Sequence, residues 1–107
     1  MDSATAHTFA DRVREESRLE ILRCLADAPE YTANDGLLHG HLLTCGLTVS
    51  HAALRTQLAW LNELGLAVVQ RAGGELGITL ATITDAGLDV AAGRSRVPGI
   101  ARPRPGA

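Results

Sequence analysis

Hydrophobic positions repeat most regularly between residues 50 and 64 of this 107-residue chain. Ser50 is a favoured helix N-cap, and Gly65 is the residue type that most often ends a helix in the left-handed conformation. The apolar residues between them recur at helical spacing and are Leu54, Leu58 and Leu61. The pattern therefore predicts one helix whose leucine face packs against a core.

The opposite side of this predicted helix carries small and polar residues. Ser50 and His51 lie at its amino end, and the outward positions that follow are Ala52, Arg55, Thr56 and Ala59. Because short side chains let another macromolecule approach a helix closely, this side is the first candidate for a binding surface.

A shorter helix is predicted from Asn34 to Cys45, with Asn34 or Asp35 as its N-cap and Gly46 at its end. Only Leu47-Thr48-Val49 separates Gly46 from Ser50, which is the spacing of a helix-turn-helix. The two helices should therefore pack against each other.

Two predicted strands follow, at residues 66–71 and 76–83, with Gly73-Gly74 between them as a turn. A helix-turn-helix followed by a β-hairpin has the element order of a winged helix. We therefore predict a mainly α fold with a small β-hairpin (α+β), a winged helix-turn-helix.

A first helix is predicted from about Thr8 to Ala28, where Pro29 closes it. Its outer face mixes acids and arginines, as solvent-exposed helix faces commonly do. Its apolar side comprises Phe9, Val13, Leu19, Leu22, Leu25 and Ala26.

A last helix is predicted to start at Thr84-Asp85, with Gly87 weakening it and Gly93 ending it. The rest of the chain is rich in proline and arginine, and its prolines predict an extended backbone: Pro98, Pro103 and Pro105. We therefore divide the chain into a winged helix-turn-helix domain, residues 1–93, and an extended tail, residues 94–107.

The composition indicates one folded domain. Hydrophobic residues make up 46% of the chain, yet it has only one Phe, one Tyr and one Trp, so the core must be aliphatic. Trp60 lies on the flank of the leucine face and suits core packing or, alternatively, a dimer contact. No signal peptide or membrane span is recognisable, which predicts a cytoplasmic protein with Cys24 and Cys45 as reduced, buried thiols.

Charge is unevenly distributed along the chain. Residues 1–49 carry 4 Arg and 8 acids, a balance of −4, whereas residues 50–107 carry 6 Arg and 4 acids, a balance of +2. The tail has four arginines and no acid, a composition that favours binding to phosphates or to an acidic protein surface. The alternative is a solvated tail that binds neither. These arginines are Arg94, Arg96, Arg102 and Arg104.

Double-stranded DNA is the predicted partner, because the second helix of a helix-turn-helix enters the major groove with its amino end toward the base edges. Arg55 is expected to bond guanine, Ser50 or Thr56 to reach a phosphate or base edge, and Arg71 to contact the minor groove or backbone. Pairing of Arg55 with Glu63 is the alternative. The predicted DNA-binding residues are Ser50, His51, Ala52, Arg55, Thr56, Arg71, Gly73 and Gly74.

Metal binding and catalysis are not predicted. His41 and Cys45 are four residues apart and can share a helix face, but His39 cannot lie on the face of His41, and no CxC or CxxC pair completes a thiolate site. As a nucleophile and base, Cys45 and His41 lack a recognisable orienting group and oxyanion donor. We therefore predict no cofactor and no enzymatic activity.

Three runs of this sequence resemble small winged-helix proteins of Mu-like prophages, which are usually described as ArsR-like transcriptional regulators. They are residues 18–31, 54–66 and 81–94, followed by Val97-Pro98-Gly99. The resemblance implies a DNA-reading helix from Ser50 through Thr56 and a wing from Arg71 through Glu75. The metal-sensing cysteine motif of the arsenical-resistance repressors is absent, which removes the reason to expect a metal effector.

The sequence as a whole predicts a DNA-binding regulator of prophage origin. One base-reading arginine makes few specific contacts, so a homodimer that binds two half-sites is expected. The alternative is a protein-interaction or DNA-packaging accessory module in phage assembly, with a phage protein as its partner, which the acidic amino-terminal half favours.

Overall fold

The computed structural model describes residues 7–74 and 77–104, which form four α-helices and one three-stranded sheet. None of these helices combines the length and the hydropathy needed to cross a bilayer. In chain order the elements are α1 (Phe9–Asp27), β1 (Thr32–Asn34), α2 (Asp35–Thr44), α3 (His51–Glu63), β2 (Ala67–Ala72), β3 (Ile78–Ile83) and α4 (Asp85–Ala91).

Local capping signals set the ends of the helices where the sequence predicts them. The Ser50 hydroxyl accepts a hydrogen bond from the Ala53 N–H at 3.0 Å, and the Asn34 side chain accepts one from the Leu37 N–H at 2.8 Å. Gly65 follows α3 with a φ of +74°, which a residue with a Cβ adopts only under strain. The two helices predicted for residues 34–45 and 50–64 are therefore confirmed within a residue or two.

The sheet contains one strand that the sequence analysis missed. The strand order of the sheet is β1-β3-β2, and β3 is antiparallel to both of its neighbours. Ala81 of β3 therefore pairs with Ala33 of β1 on one side and with Val69 of β2 on the other. β1 has only three residues and forms because β3 supplies its hydrogen-bonding partner. The hairpin is confirmed, although β3 begins at Ile78, and the predicted strand start at Leu76 lies outside the described residues.

The core is aliphatic, and α1 packs against α2, α3, α4 and β3 around it. Two residues of the predicted apolar side of α1 lie outside this core: the Phe9 side chain is 81% exposed, and Val13 is half-buried and lines a surface cleft with it. The side chains with no exposed surface are Ile21, Leu22, Leu25, Leu38, Leu42, Leu54, Leu61 and Ala81.

Residues 94–104 pack back onto the helices. Ile100 is 8% exposed and belongs to the core, and the Ala101 N–H donates to the Glu15 carbonyl oxygen of α1 at 3.2 Å. The segment has no regular helix or strand, in keeping with its prolines. The sequence-based boundary at residue 93 therefore separates two segments that share one core, and residues 105–107, including Pro105, lie outside the described part.

Arg18 holds this segment against α1 and α3. Its Nε donates to the Gln57 Oε1 of α3 at 2.6 Å, its Nη1 donates to the Gly99 carbonyl oxygen at 2.8 Å, and its guanidinium stacks 3.8 Å from the Trp60 ring centroid. Burial lowers the pKa of Arg18 from its usual value. Trp60 is thus half-buried within its own chain, as the core-packing interpretation expects.

Gly87 of α4 lies against the backbone that leads into β2. A Cβ at this position would overlap the Leu66 carbonyl oxygen and would lie 2.6 Å from the Ile83 Cγ1. Gly87 is buried, so the neighbouring backbone has little room to move. Gly87, which was predicted to weaken the last helix, therefore allows α4 to pack closely against the Leu66 backbone.

We expect Gly87→Ala to lower the free energy of unfolding by about 1–3 kcal/mol or more, because the methyl group must displace packed backbone. Urea denaturation followed by circular dichroism measures this change.

Gly40→Ala is the matched control, because Gly40 is also helical and a Cβ there meets nothing within 4 Å. This substitution should raise the free energy of unfolding by about 0.5–1 kcal/mol, since alanine favours the helix. Equal denaturation midpoints for the two variants would contradict the close approach of α4 to Leu66.

Candidate nucleic-acid interface

The outer side of α3 is open to solvent. Leu54, Leu58 and Leu61 are at most 1% exposed, whereas Ala52, Arg55 and Thr56 are all exposed on the opposite side. The orientation predicted from the spacing is therefore the one that the helix adopts. The side that faces away from the core presents one guanidinium among small side chains.

Arg55 is the cationic group of this surface. Within residues 7–74 and 77–104, no acidic oxygen lies within 4.0 Å of its guanidinium, so the pair with Glu63 considered in the sequence analysis does not form. Arginine has five N–H donors in a planar fork that matches a guanine edge or a phosphate. Among the described residues, no acid therefore competes for the donors of Arg55 with a ligand outside the domain.

The other polar residues predicted on α3 already make contacts within the domain. The Ser50 hydroxyl accepts the capping hydrogen bond, and the Thr56 hydroxyl donates to the Ala52 carbonyl oxygen at 3.1 Å. The His51 ring stacks on the His39 ring of α2, with centroids 3.9 Å apart and planes at 15°. His39 in turn lies 2.8 Å from the Val49 carbonyl oxygen, so the two histidines join α2 to the start of α3.

The hairpin end brings together the predicted wing residues. Gly73 and Gly74 have φ values of +86° and +60°, and the Gly77 N–H donates to the Gly74 carbonyl oxygen at 3.0 Å. The exposed Arg71 side chain lies across Gly77, where any Cβ would overlap its guanidinium. Glu75, which the resemblance includes in the wing, lies outside the described residues.

The tail arginines divide into two pairs. Arg94 Nε lies 3.0 Å from Asp89 Oδ1, and Arg104 Nη2 lies 3.7 Å from Glu16 Oε2, so acids of α4 and α1 accompany these two cations. Arg96 and Arg102 are exposed, and no acid among the described residues pairs with either. The positive charge of residues 94–104 is therefore partly neutralised by acids of α4 and α1.

A second group of chemically active side chains lies where α1 meets the end of α2. His41 Nε2 is 3.3 Å from Glu20 Oε1, and Cys45 Sγ is 3.6 Å from each of these two atoms. Glu20 and His41 are half-buried, and Cys45 is exposed, so the expectation that Cys45 is buried was wrong. The His41–Cys45 spacing was visible in the sequence, but Glu20 joins them only because α1 packs on α2.

This group does not have the geometry of a catalytic triad. In a triad the acid binds one imidazole nitrogen and the nucleophile binds the other. Here Glu20 and Cys45 both face Nε2 of His41. Partial loss of hydration against the neighbouring side chains, followed by the nearby Glu20 charge, raises the pKa of the Cys45 thiol, which disfavours a free thiolate. The three side chains instead direct their donor atoms toward one common point.

Two curated proteins are similar to this chain, and no family model matches it. Uncharacterized protein gp26 of Escherichia phage Mu is 42% identical over 95 residues, which cover 89% of this chain and 95% of that protein. An uncharacterized protein of Haemophilus influenzae (strain Rd) is 34% identical over 64 residues, which cover 60% of this chain and 62% of that protein. The similarity to the phage protein thus extends over almost the whole of both chains.

Proposed function

This chain belongs to the family of the phage Mu protein gp26 and is of Mu-like prophage origin, and we propose that it is a DNA-binding transcriptional regulator that occupies duplex DNA through α3. In this proposal α2 and α3 act as a helix-turn-helix and β2–β3 as its wing, in the manner of ArsR-like regulators. The connection between the two helices spans residues 45–50, and the hairpin directly follows α3. That order of elements supports a winged helix-turn-helix.

The observation that carries the proposal is an exposed Arg55 with no acidic partner among the described residues, on the outer side of α3. Ala52 is small enough to admit a base edge beside it and to contact a thymine methyl group. In addition to its capping role, the Ser50 hydroxyl retains its proton for a phosphate oxygen. Arg55 reads a guanine, and Ser50 and Thr56 position the helix.

Electrostatics favours a regulator that depends on few phosphate contacts. The whole chain carries a formal charge of −2, so long-range attraction to DNA is weak, and affinity must come from particular arginines. Arg71 at the hairpin supplies such contacts in addition to α3. So do Arg96 and Arg102, which pair with no acid among the described residues. Two such surfaces in one assembly double the number of specific contacts.

We propose a homodimer whose contact lies at the amino end of α1. The exposed Phe9 ring borders an apolar cleft between α1 and α3, which Val13, Val49 and Ala53 also line. At its floor the Ser17 hydroxyl is 1% exposed and has no hydrogen-bond partner among the described residues. A second copy that covers this cleft removes the exposed Phe9 ring from water.

The second candidate function is an accessory module of phage assembly, and the same cleft favours it. An apolar cleft beside an exposed aromatic ring also suits a helix of another phage protein. In that case the cleft is filled only in the presence of this partner, and the purified chain is a monomer that does not discriminate among DNA sequences. The two functions therefore differ in the behaviour of the purified protein.

We expect Arg55→Ala to weaken binding to DNA of the chain's own gene region by about 1–3 kcal/mol, with little change on random DNA of equal length. Fluorescence anisotropy at two salt concentrations measures both affinities. Arg94→Ala is the control, because Arg94 is also an exposed arginine but lies beside Asp89 of α4 and not on α3. An equal loss on both DNAs would make Arg55 a phosphate contact, and no preference in the unsubstituted protein would contradict sequence-specific regulation.

The double substitution Arg96→Ala/Arg102→Ala should lower the slope of log K against log salt by about 2, because each phosphate contact contributes about one unit. It leaves Ile100 and Gly99 in place, whereas truncation at residue 93 would remove part of the core. The same substitution at the acid-paired Arg94 and Arg104 is the comparison, and it should change the slope less. An unchanged slope in the first variant would remove the tail from the DNA interface.

Phe9→Asp should convert the dimer to a monomer, as measured by sedimentation velocity, because it places a charge on the proposed contact. An acid in the first turn of a helix is favourable, so α1 should remain folded. Leu37→Asp is the matched control, because Leu37 is also an exposed apolar residue in the first turn of a helix and lies away from the cleft. A dimer that persists in Phe9→Asp would place the contact elsewhere.

A further inference from the structure

We propose that Glu20, His41 and Cys45 form a binding site for a single Zn²⁺ ion, with one donor atom from each side chain. The site connects the middle of α1 to the end of α2. It is separate from the outer side of α3, and the proposal stands whether or not α3 binds DNA.

The distances between the donor atoms agree with tetrahedral zinc. Zinc binds carboxylate oxygen and imidazole nitrogen at about 2.0–2.2 Å and thiolate sulfur at about 2.3 Å, so neighbouring donors in a tetrahedron lie about 3.3–3.6 Å apart. In the cluster, oxygen and nitrogen are 3.3 Å apart, and sulfur is 3.6 Å from each. The three atoms thus have the spacing of one face of a tetrahedron around an ion.

The donor types select the class of metal. A thiolate and an imidazole favour zinc and related transition metals, whereas Mg²⁺ and Ca²⁺ prefer sites made of oxygen atoms. Once the Cys45 proton is displaced, the thiolate and the Glu20 carboxylate together neutralise the two charges of Zn²⁺. Neutrality matters because Glu20 and His41 are half-buried.

The two oxygens of Glu20 have different partners. Oε1 faces His41 and Cys45, while Oε2 lies 3.5 Å from Nη1 of Arg23, one turn further along α1. Such an outer partner fixes the orientation of a ligating carboxylate. Because Cys45 is exposed, the fourth position of the tetrahedron opens to solvent and takes a water molecule.

The site ties α1 to the residue that caps the carboxyl end of α2. Cys45 is that C-cap, and its N–H donates to carbonyl oxygens in the last turn, including that of His41. The connection to Ser50 begins immediately after it. Bound zinc therefore restrains the end of α2 and the connection that leads into α3.

The test uses the untagged full chain, kept reduced with a phosphine, and Zn²⁺ supplied as its chloride. Competition against a chromophoric chelator should give one Zn²⁺ per chain. Co²⁺ in its place should show the intense visible bands of a tetrahedral ion and a thiolate-to-metal charge-transfer band. The charge-transfer band should be lost in Cys45→Ser.

Each single substitution of a ligand, Glu20→Gln, His41→Gln or Cys45→Ser, should lower the affinity by more than about 100-fold, since loss of an outer partner alone costs about 10–100-fold. The matched controls are Glu16→Gln and His7→Gln, which change a carboxylate and an imidazole outside the cluster. Both controls should retain the affinity of the unsubstituted chain.

Thermal unfolding distinguishes loss of the site from loss of the fold. Without metal, the ligand variants should unfold within a few degrees of the unsubstituted chain, and added Zn²⁺ should raise the midpoint of the unsubstituted chain and of the controls only. Failure of the unsubstituted chain to bind Zn²⁺, or equal affinity in all variants, would overturn the proposal. Either result is independent of the DNA measurements.

Discussion

An almost purely aliphatic core is the constraint on which the rest of this structure depends. The chain has one residue each of Phe, Tyr and Trp; Phe9 is largely exposed, about half of the Tyr31 surface is exposed, and Trp60 is half-buried. Leucine, isoleucine, valine and alanine must therefore fill the interior, and without large rings the backbones must approach closely. The contact of Gly87 with the Leu66 carbonyl oxygen is the clearest result of this constraint.

The sequence predicted those elements whose signals are local. Asn34 and Ser50 lie directly before the helices that they begin, and left-handed glycines lie directly after the helices that they end. The positions of α2, α3 and the hairpin could therefore be predicted without knowledge of the fold. β1 could not, because its three residues depend on β3, and the Thr32 and Thr82 hydroxyls that meet at 2.8 Å are 50 residues apart. Glu20 was missed for the same reason, since its proximity to His41 is a consequence of helix packing.

Two histidines of α2 show how one short helix serves both candidate sites. Leu38 and Leu42 point into the core, which leaves His39 and His41 on different sides of the helix. His39 contacts the residue before the α3 cap and stacks on His51, while His41 approaches Glu20 of α1. The sequence analysis separated these histidines correctly by face, but it had no means to identify the partner on each side.

The stacking of Arg18 on Trp60 gives the molecule an internal optical reporter. Trp60 is the sole tryptophan of the chain, and its ring lies between α3 and the segment that Arg18 fastens at Gly99, 81 residues away in sequence. Release of that segment would withdraw the guanidinium partner and admit water to the indole. The intrinsic emission of this protein therefore reports the docking of a single segment rather than an average over the whole domain.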